Sequence, residues 1–482
     1  MDKQSGTIQK SLIWSGGSEI AVKLIVPISN MILARILTPD DFGVLAVCNM
    51  VISFIDIITD AGFGKYLVQH DFKDNNEKDQ CANVSFWSNL VLSFIIWGVV
   101  VLNRVSIAEL LGGKEYATVI SVACLQLVFT SVVSIQMGLL RRNFQFKKLF
   151  IARVGVAIVP LVITVPLAFV TRSYWALIVG NISGAVVNAI ILTLNSSWRP
   201  RRFYSFGVLK EMFSFSFWTL CEALAHWLIF WIDTFIVGRF YSSYYLGIYK
   251  NSASMIMSLI GMITAALSPV LLSVLSRIKD DNEFYNIFLN IEKVVVYILF
   301  PLGIGIFFYR ETATAVLFGS QWGAASNVIG AWALMMVVSV VIYSFPAEAY
   351  KAKGIPQILF FYQVSYLVIL IPVCWISAKL DFWTFVYARA FSIVEQVIMC
   401  GFFMRKYLHW SVARFVSNLV RPFVASISVV ALYVMFRCFI PHSIGYELLS
   451  IMLIIAGYFI VLFVFFKKDI FASLKVIREK KL

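Results

Sequence analysis

Apolar residues run along this chain in blocks of about twenty or more, each closed by a short polar turn and none alternating with period two. Continuous runs of that length read as helices that cross a bilayer, since barrel strands are shorter and alternate. Fourteen blocks follow one another, at 12–35, 44–66, 81–103, 117–139, 150–171, 173–194, 213–238, 246–269, 286–309, 324–345, 355–378, 382–404, 417–439 and 445–466. The pattern predicts an all-α integral membrane protein with spans one to fourteen and no room between them for a soluble domain.

The blocks also repeat. Glu19 and Lys23 stand one turn apart in span one, as Glu222 and His226 do in span seven. Ala34-Arg35 answers Gly238-Arg239, Gly43-Val44-Leu45 answers Gly247-Ile248-Tyr249, and Gly112 answers Gly319. Arg141 and Arg153 answer Lys351 and Gln363, while Trp175, Asn181 and Asn188 answer Trp383, Arg389 and Gln396. The offset stays between about 203 and 210 residues, as when helices are kept and loops trimmed. The repeat predicts two pseudo-symmetric six-helix lobes, 1–195 and 213–404, joined by a cytoplasmic linker at 196–212. Spans thirteen and fourteen and a basic tail, 405–482, fall outside it. Membrane proteins built from matched halves are typically transporters, in which two bundles rock about a shared cavity.

Composition and charge sharpen this. Mean hydropathy is +0.85 and 60% of residues are hydrophobic, outside the range of soluble domains. The net charge of +14 would suit nucleic acid, but its distribution excludes that class. With the N-terminus inside, 25 Lys and Arg fall on one face of the membrane against 6 on the other, which places both termini in the cytoplasm and sets the excess against anionic headgroups. The seven cysteines lie in or beside spans without metal spacing and read as packing residues. No cleavable signal peptide is expected, because the first apolar block is long enough to span. Gly180 and Gly184 give span six a face for close helix approach, and Pro160 bends span five.

Charges inside spans cost roughly 2.5–3.5 kcal/mol each, so they should face a cavity or a partner. Glu19 and Lys23 share one helical face, as do Asp56 and Asp60 in span two, and Glu222, His226 and Asp233 in span seven. Each set has a plain alternative in helix packing. His226 either relays protons or makes an interhelical hydrogen bond. Arg35 and Arg239 suit the negative ends of their helices, and Glu292 and Lys293 lie near enough to the inner face to snorkel. Arg389, deep in span twelve and matched by Asn181, is hardest to read as packing. The cations Lys23, Arg153, Lys250 and Arg389, with Asn181 and Gln396, are the candidates for lining a cavity that takes an anionic substrate such as a diphosphate. Glu19, Asp56, Asp60, Glu222, His226, Asp233 and Glu395 are the candidates for carrying a coupling H⁺ or Na⁺; no other cofactor is expected.

Four stretches carry a family resemblance: 34–43 (ARILTPDDFG), 139–148 (LLRRNFQFKK), Asp233–Arg239 with Leu246–Tyr249, and Leu317-Phe-Gly-Ser-Gln-Trp322. They resemble Wzx-type lipid-linked oligosaccharide flippases, in the colanic and teichuronic acid exporter branch of the multidrug/oligosaccharidyl-lipid/polysaccharide superfamily. The resemblance covers nearly the whole chain. It implies flipping of an undecaprenyl-diphosphate-linked repeat unit across the bacterial inner membrane for surface polysaccharide synthesis, beside membrane lipids and with a polymerase and chain-length machinery as partners. A cation-coupled drug antiporter of the same superfamily is the nearest alternative and would favour an acidic cavity. A membrane enzyme of polysaccharide assembly would need a loop cluster of catalytic residues, but His70, His409 and His442 are isolated in sequence.

Overall fold

A computed structural model describes residue 22 and residues 24–60, 62–355, 357–439 and 443–479, with only the backbone of 214–219, 222, 439 and 477–479. Among the described residues every regular element is helical. Thirteen helices among the described residues are long and apolar enough to cross a membrane. In order they are spans two (Pro39–Asp60), three (Asn75–Leu102), four (Tyr116–Arg142), five (Phe146–Thr171), six (Trp175–Asn195), seven (Ala223–Phe240) and eight (Ser243–Leu275). Spans nine (Asp281–Phe308), ten (Ala325–Ala352), eleven (Gln357–Ala378), twelve (Phe382–Leu408), thirteen (Val412–Cys438) and fourteen (Ile444–Val476) follow. Leu24–Ile36 is a shorter apolar helix within span one. Side chains such as Leu102 and Val170 are 85% and 83% exposed, a surface that only lipid solvates well. The protein is a multi-pass membrane protein.

Two details depart from the hydropathy reading. Span fourteen does not stop at 466 but passes through a π turn, Leu462–Phe466, into a tail helix, Lys467–Glu479. The linker is docked rather than loose: the Trp87 indole donates to the Arg201 carbonyl at 2.9 Å, and Asn83 accepts from the Arg201 amide at 2.6 Å.

The chain divides into two compact units, Met1–Lys250 and Asn251–Leu482. Span seven belongs to the first, because it lies on span two, where Trp227 donates to Ser53 at 3.0 Å and packs against Phe54 at a tilt, ring centres 4.9 Å apart. In that unit the turns 37–43 and 241–247 meet backbone to backbone. A Cβ on Gly43 would run into the Ser243 carbonyl, and one on Gly247 into the Pro39 carbonyl. Ser243 follows Pro39 by the same 204 residues that separate Gly247 from Gly43, so the contact is reciprocal, as across a local two-fold. Asp40 and Ser243 close it with a hydrogen bond of 2.6 Å.

Matched positions also share backbone conformation. Spans four and ten both end in a left-handed residue, Phe144 (φ 54°) and Gly354 (φ 73°), 210 positions apart. Each is followed by the same closing bond, from the Gln145 amide to the Leu140 carbonyl (2.9 Å) and from Ile355 to Tyr350 (3.0 Å), the pattern of a Schellman cap. In the first unit Gly180 abuts Thr164 in the π turn of span five, Pro160–Thr164, which is how the small-residue face of span six is used.

Candidate functional site

The resemblance-bearing stretches fold into staples. Pro39 opens span two, where its missing N–H costs nothing, and Asp40 and Asp41 lie in the first turn, favoured by the helix dipole. The Asp41 carboxylate accepts from the Thr38 amide at 2.9 Å and from the Tyr174 amide, at the head of span six, at 2.7 Å. Arg142 gathers the carbonyls of Leu67, Val68 and His70, closing the short helix Phe63–Gln69. Lys148 closes span six on the Asn195 carbonyl at 2.7 Å. Gly319 turns at φ 94° and lets Trp322 bury completely.

The first unit carries an acid–hydroxyl ladder. Asp56 and Asp60 sit one turn apart on span two, and Thr130 and Ser134 one turn apart on span four. Thr130 donates to Asp56 at 2.8 Å, and Ser134 donates to Asp60. Lys65 and Arg141 lie within electrostatic reach of Asp60, and Arg153 within reach of Arg141. Asp60 therefore has two cations near it, and of the candidate cations Arg153 stands one step further off, beside Arg141. Asn181, exposed on span six, donates to Asn49 of span two at 3.1 Å.

A second polar knot joins spans seven and eight. Asp233, 2% exposed, accepts from the Thr234 amide at 2.6 Å and from the Tyr249 hydroxyl at 2.8 Å. Lys250 donates to the Phe230 carbonyl at 3.1 Å and lies 4.1 and 4.0 Å from the Phe230 and Trp231 ring centres, a cation–π seat that satisfies a buried ammonium. His226 does not share this setting. It is exposed, so the expected common stripe divides into an open histidine and an enclosed carboxylate. Glu19 and Lys23 lie outside the described residues, as does the side chain of Glu222.

In the second unit Arg389 is 6% exposed and enclosed by its own neighbours. It donates to the Tyr366 hydroxyl at 2.7 Å and to Ser392 at 3.3 Å, with its guanidinium 5.3 Å from the Trp332 ring. Asp381 caps the helix that carries it, Phe382–Phe391, through the Trp383 and Thr384 amides at 2.9 and 3.0 Å. The Thr384 hydroxyl beside Asp381 holds that carboxyl below the usual carboxylate range. Glu395 is buried, and among the described residues neither of its oxygens has a hydrogen-bond partner. The neighbouring Gln396 accepts from Tyr362 through its main-chain carbonyl at 2.7 Å.

Glu292 corrects the snorkelling expectation. It is 1% exposed and points into the bundle, with both carboxylate oxygens unmet among the described residues. Lys293, one residue on and so turned about 100° around the helix, pairs instead with Asp469 of the tail helix at 3.2 Å. A carboxylate can lie near a span's end and still be buried when its face of the helix meets another span.

The sequence reading also missed an apolar groove in the second unit. Val294, Tyr297 and Pro301 of span nine form one wall, Val429 of span thirteen adds to it, and Ile454 and Phe463 of span fourteen form the other. The cavity is about 730 Å³, and its lining runs along span fourteen from Leu448 to Phe471, roughly 35 Å of helix at 1.5 Å per residue. Lys467 stands at the tail end with its ammonium 4.3 Å from the Phe463 ring centre. The available signal was the heptad-like apolar face that continues through Ile470, Phe471 and Leu474 into what reads otherwise as a basic tail.

Comparison with known proteins places this geometry. The family described as "Polysaccharide biosynthesis protein" matches residues 32–327. The "Succinoglycan biosynthesis transport protein ExoT" of Rhizobium meliloti is 27% identical, over 68% of this chain and 66% of its own. The "Lipopolysaccharide biosynthesis protein WzxC" of Escherichia coli is 22% identical over 69% and 68%. Among solved structures, "Lipid II flippase MurJ, inward closed conformation" superposes with a TM-score of 0.79 at 14% identity, covering 95% of this chain and all of that one. At that identity the likeness is one of fold.

Proposed function

The chain belongs to the polysaccharide biosynthesis protein family, and from that premise we propose that it flips an undecaprenyl-diphosphate-linked oligosaccharide across the bacterial inner membrane by alternating access. It moves its substrate rather than transforming it, and both termini lie in the cytoplasm. The observation that carries this reading is the apolar groove. A lining that runs about 35 Å along span fourteen matches a hydrocarbon core of about 30 Å, so it can shelter a long prenyl chain while the glycan moves. Arg389, buried in the same unit as the groove, is the cation available there to a diphosphate. Asp56, Asp60, Asp233 and Glu395 are the carboxylates available to a coupling H⁺ or Na⁺. The names of ExoT and WzxC, as a transport and a lipopolysaccharide biosynthesis protein, support the substrate class.

Gly305 tests the reading. It lines the groove, and a Cβ there meets no atom within 4 Å, so a large side chain fills the groove without breaking the helix. In proteoliposomes, Gly305→Phe should lose most flipping of a prenyl-linked oligosaccharide while keeping its thermal midpoint. Unchanged flipping in a folded Gly305→Phe would remove the groove from the mechanism. Transport of organic cations instead of the lipid-linked glycan would favour the drug-antiporter alternative.

A further inference from the structure

Spans nine and thirteen begin at the same end of the bundle, the end that carries the basic loops, and towards that end they face each other across a polar pocket of about 430 Å³. Asn286, Asn290 and Lys293 line it from span nine; Arg414, Asn418 and Arg421 line it from span thirteen. On each helix the outer two of these residues are seven positions apart, two turns, so the two stripes run side by side for about 10 Å. Apolar contact, the rule elsewhere along these spans, gives way here to amides and cations.

The cations are anchored yet keep donors in reserve. Arg414 donates to Asn286 and lies with its guanidinium 5.5 Å from the Tyr285 ring centre, a ring itself stacked on Trp410 at 4.5 Å. A guanidinium offers five N–H donors, and one bond to an amide leaves a fork for an oxyanion. Lys293 and Arg421 converge on one carboxylate, Asp469, at 3.2 and 2.7 Å. The Tyr297 hydroxyl donates to the same carboxylate at 2.9 Å. Three cations against one carboxylate leave the cluster net positive by two. Tyr297 also lines the apolar groove, so cationic pocket and groove meet at Asp469.

We propose that this pocket binds a phosphate group at the membrane surface, with Asp469 of the tail helix as an internal competitor for two of its three cations. Forked guanidiniums and amides match the oxygens of a phosphate ester, and basic pockets between spans at a positively flanked surface are where anionic headgroups collect. The adjoining groove makes a lipid the natural carrier of that phosphate, its headgroup among Arg414, Arg421 and Lys293 and a chain along spans nine and fourteen. The site is separate from Arg389 and Lys250, and its occupancy does not depend on the transported glycan.

Native mass spectrometry of the full chain in detergent tests this, with phosphatidylglycerol, phosphatidylcholine of the same acyl chains, and inorganic phosphate as probes. Wild type should retain phosphatidylglycerol over phosphatidylcholine by roughly ten-fold or more, given three cations near one headgroup. Arg414→Gln with Arg421→Gln should bring the two lipids to parity. Arg437→Gln, which breaks a pair with Glu447 at the far end of span thirteen, should leave the preference intact. Asp469→Asn should strengthen retention by removing the competitor, a gain that a merely structural ion pair would not produce. Equal retention of the two lipids by wild type, or a preference that survives the double arginine variant, overturns the proposal. A thermal shift with inorganic phosphate that needs Arg414 and Arg421, without selective lipid retention, overturns the lipid as the carrier and leaves a soluble phosphate in its place.

Discussion

Gly43→Ala puts one methyl group where the structure has a carbonyl. The added Cβ would overlap the Ser243 main chain, and the reciprocal atom on Gly247 would overlap Pro39 and the Gly43 amide. Neither obstacle is the tip of a flexible side chain, so relief requires the two turns to move apart. Overfilling a packed site costs about 1–3 kcal/mol. If the turns 37–43 and 241–247 part in one transport state and meet in the other, that cost falls on the closed state alone and shifts the two populations by about 5–150-fold. Amide hydrogen exchange in nanodiscs reads this directly, since exchange through opening scales with the open population. Amides at 40–46 and 243–250 should exchange faster by that factor in Gly43→Ala, and faster still in Gly43→Ala with Gly247→Ala. Gly98→Ala is the control. Its Cβ meets nothing within 4 Å, and replacing a mid-helix glycine should slow local exchange. Wild-type exchange at both turns in a folded Gly43→Ala would refute the closed contact as a conformational switch.

Other outcomes follow from single residues. Gly354→Ala, at φ 73° with open space for a Cβ, should lose about 1 kcal/mol of stability through backbone strain alone, whereas Phe144→Gly at the matched turn should lower the midpoint less than a buried Phe→Gly change or raise it; chemical denaturation of both variants measures this. Arg389→Ala should abolish export of surface polysaccharide with membrane insertion intact, and Tyr366→Phe, which removes one bond to the guanidinium, should give a partial loss in the same complementation assay. Asp233→Asn should blunt the response of flipping to an imposed proton or sodium gradient; flipping that ignores both gradients in wild type would show the exporter to be uncoupled. The Asp381 carboxyl is lowered on folding, so its cap contributes above the ordinary carboxylate range and is lost as pH falls through the lower folded value; exchange at 382–386 should rise on that acid side in wild type and show no such step in Asp381→Asn.

Much of the fold was legible in one dimension because a bilayer imposes it. Each span must close its own backbone hydrogen bonds and be apolar over a fixed length, so fourteen blocks could be read without knowing how they pack. The repeat was legible for a related reason: helix ends need particular residues, and Gly43 with Gly247, Gly112 with Gly319, and the turn after Arg141 with that after Lys351 keep those needs at matched positions. Which face of a span meets another span was not legible. Glu292 and Lys293 differ by one residue, yet one is buried and the other reaches Asp469, because about 100° of helix rotation separates them and neighbouring spans decide what each meets. His226 and Asp233 share a helical face yet differ in exposure, since Tyr249 and Thr234 enclose only the second. The groove and the cationic pocket required spans nine, thirteen and fourteen to come together across more than a hundred residues. Charge, length and apolarity are local properties and stay written in the chain; cavities belong to pairs of surfaces, and only the tertiary packing brings those surfaces together.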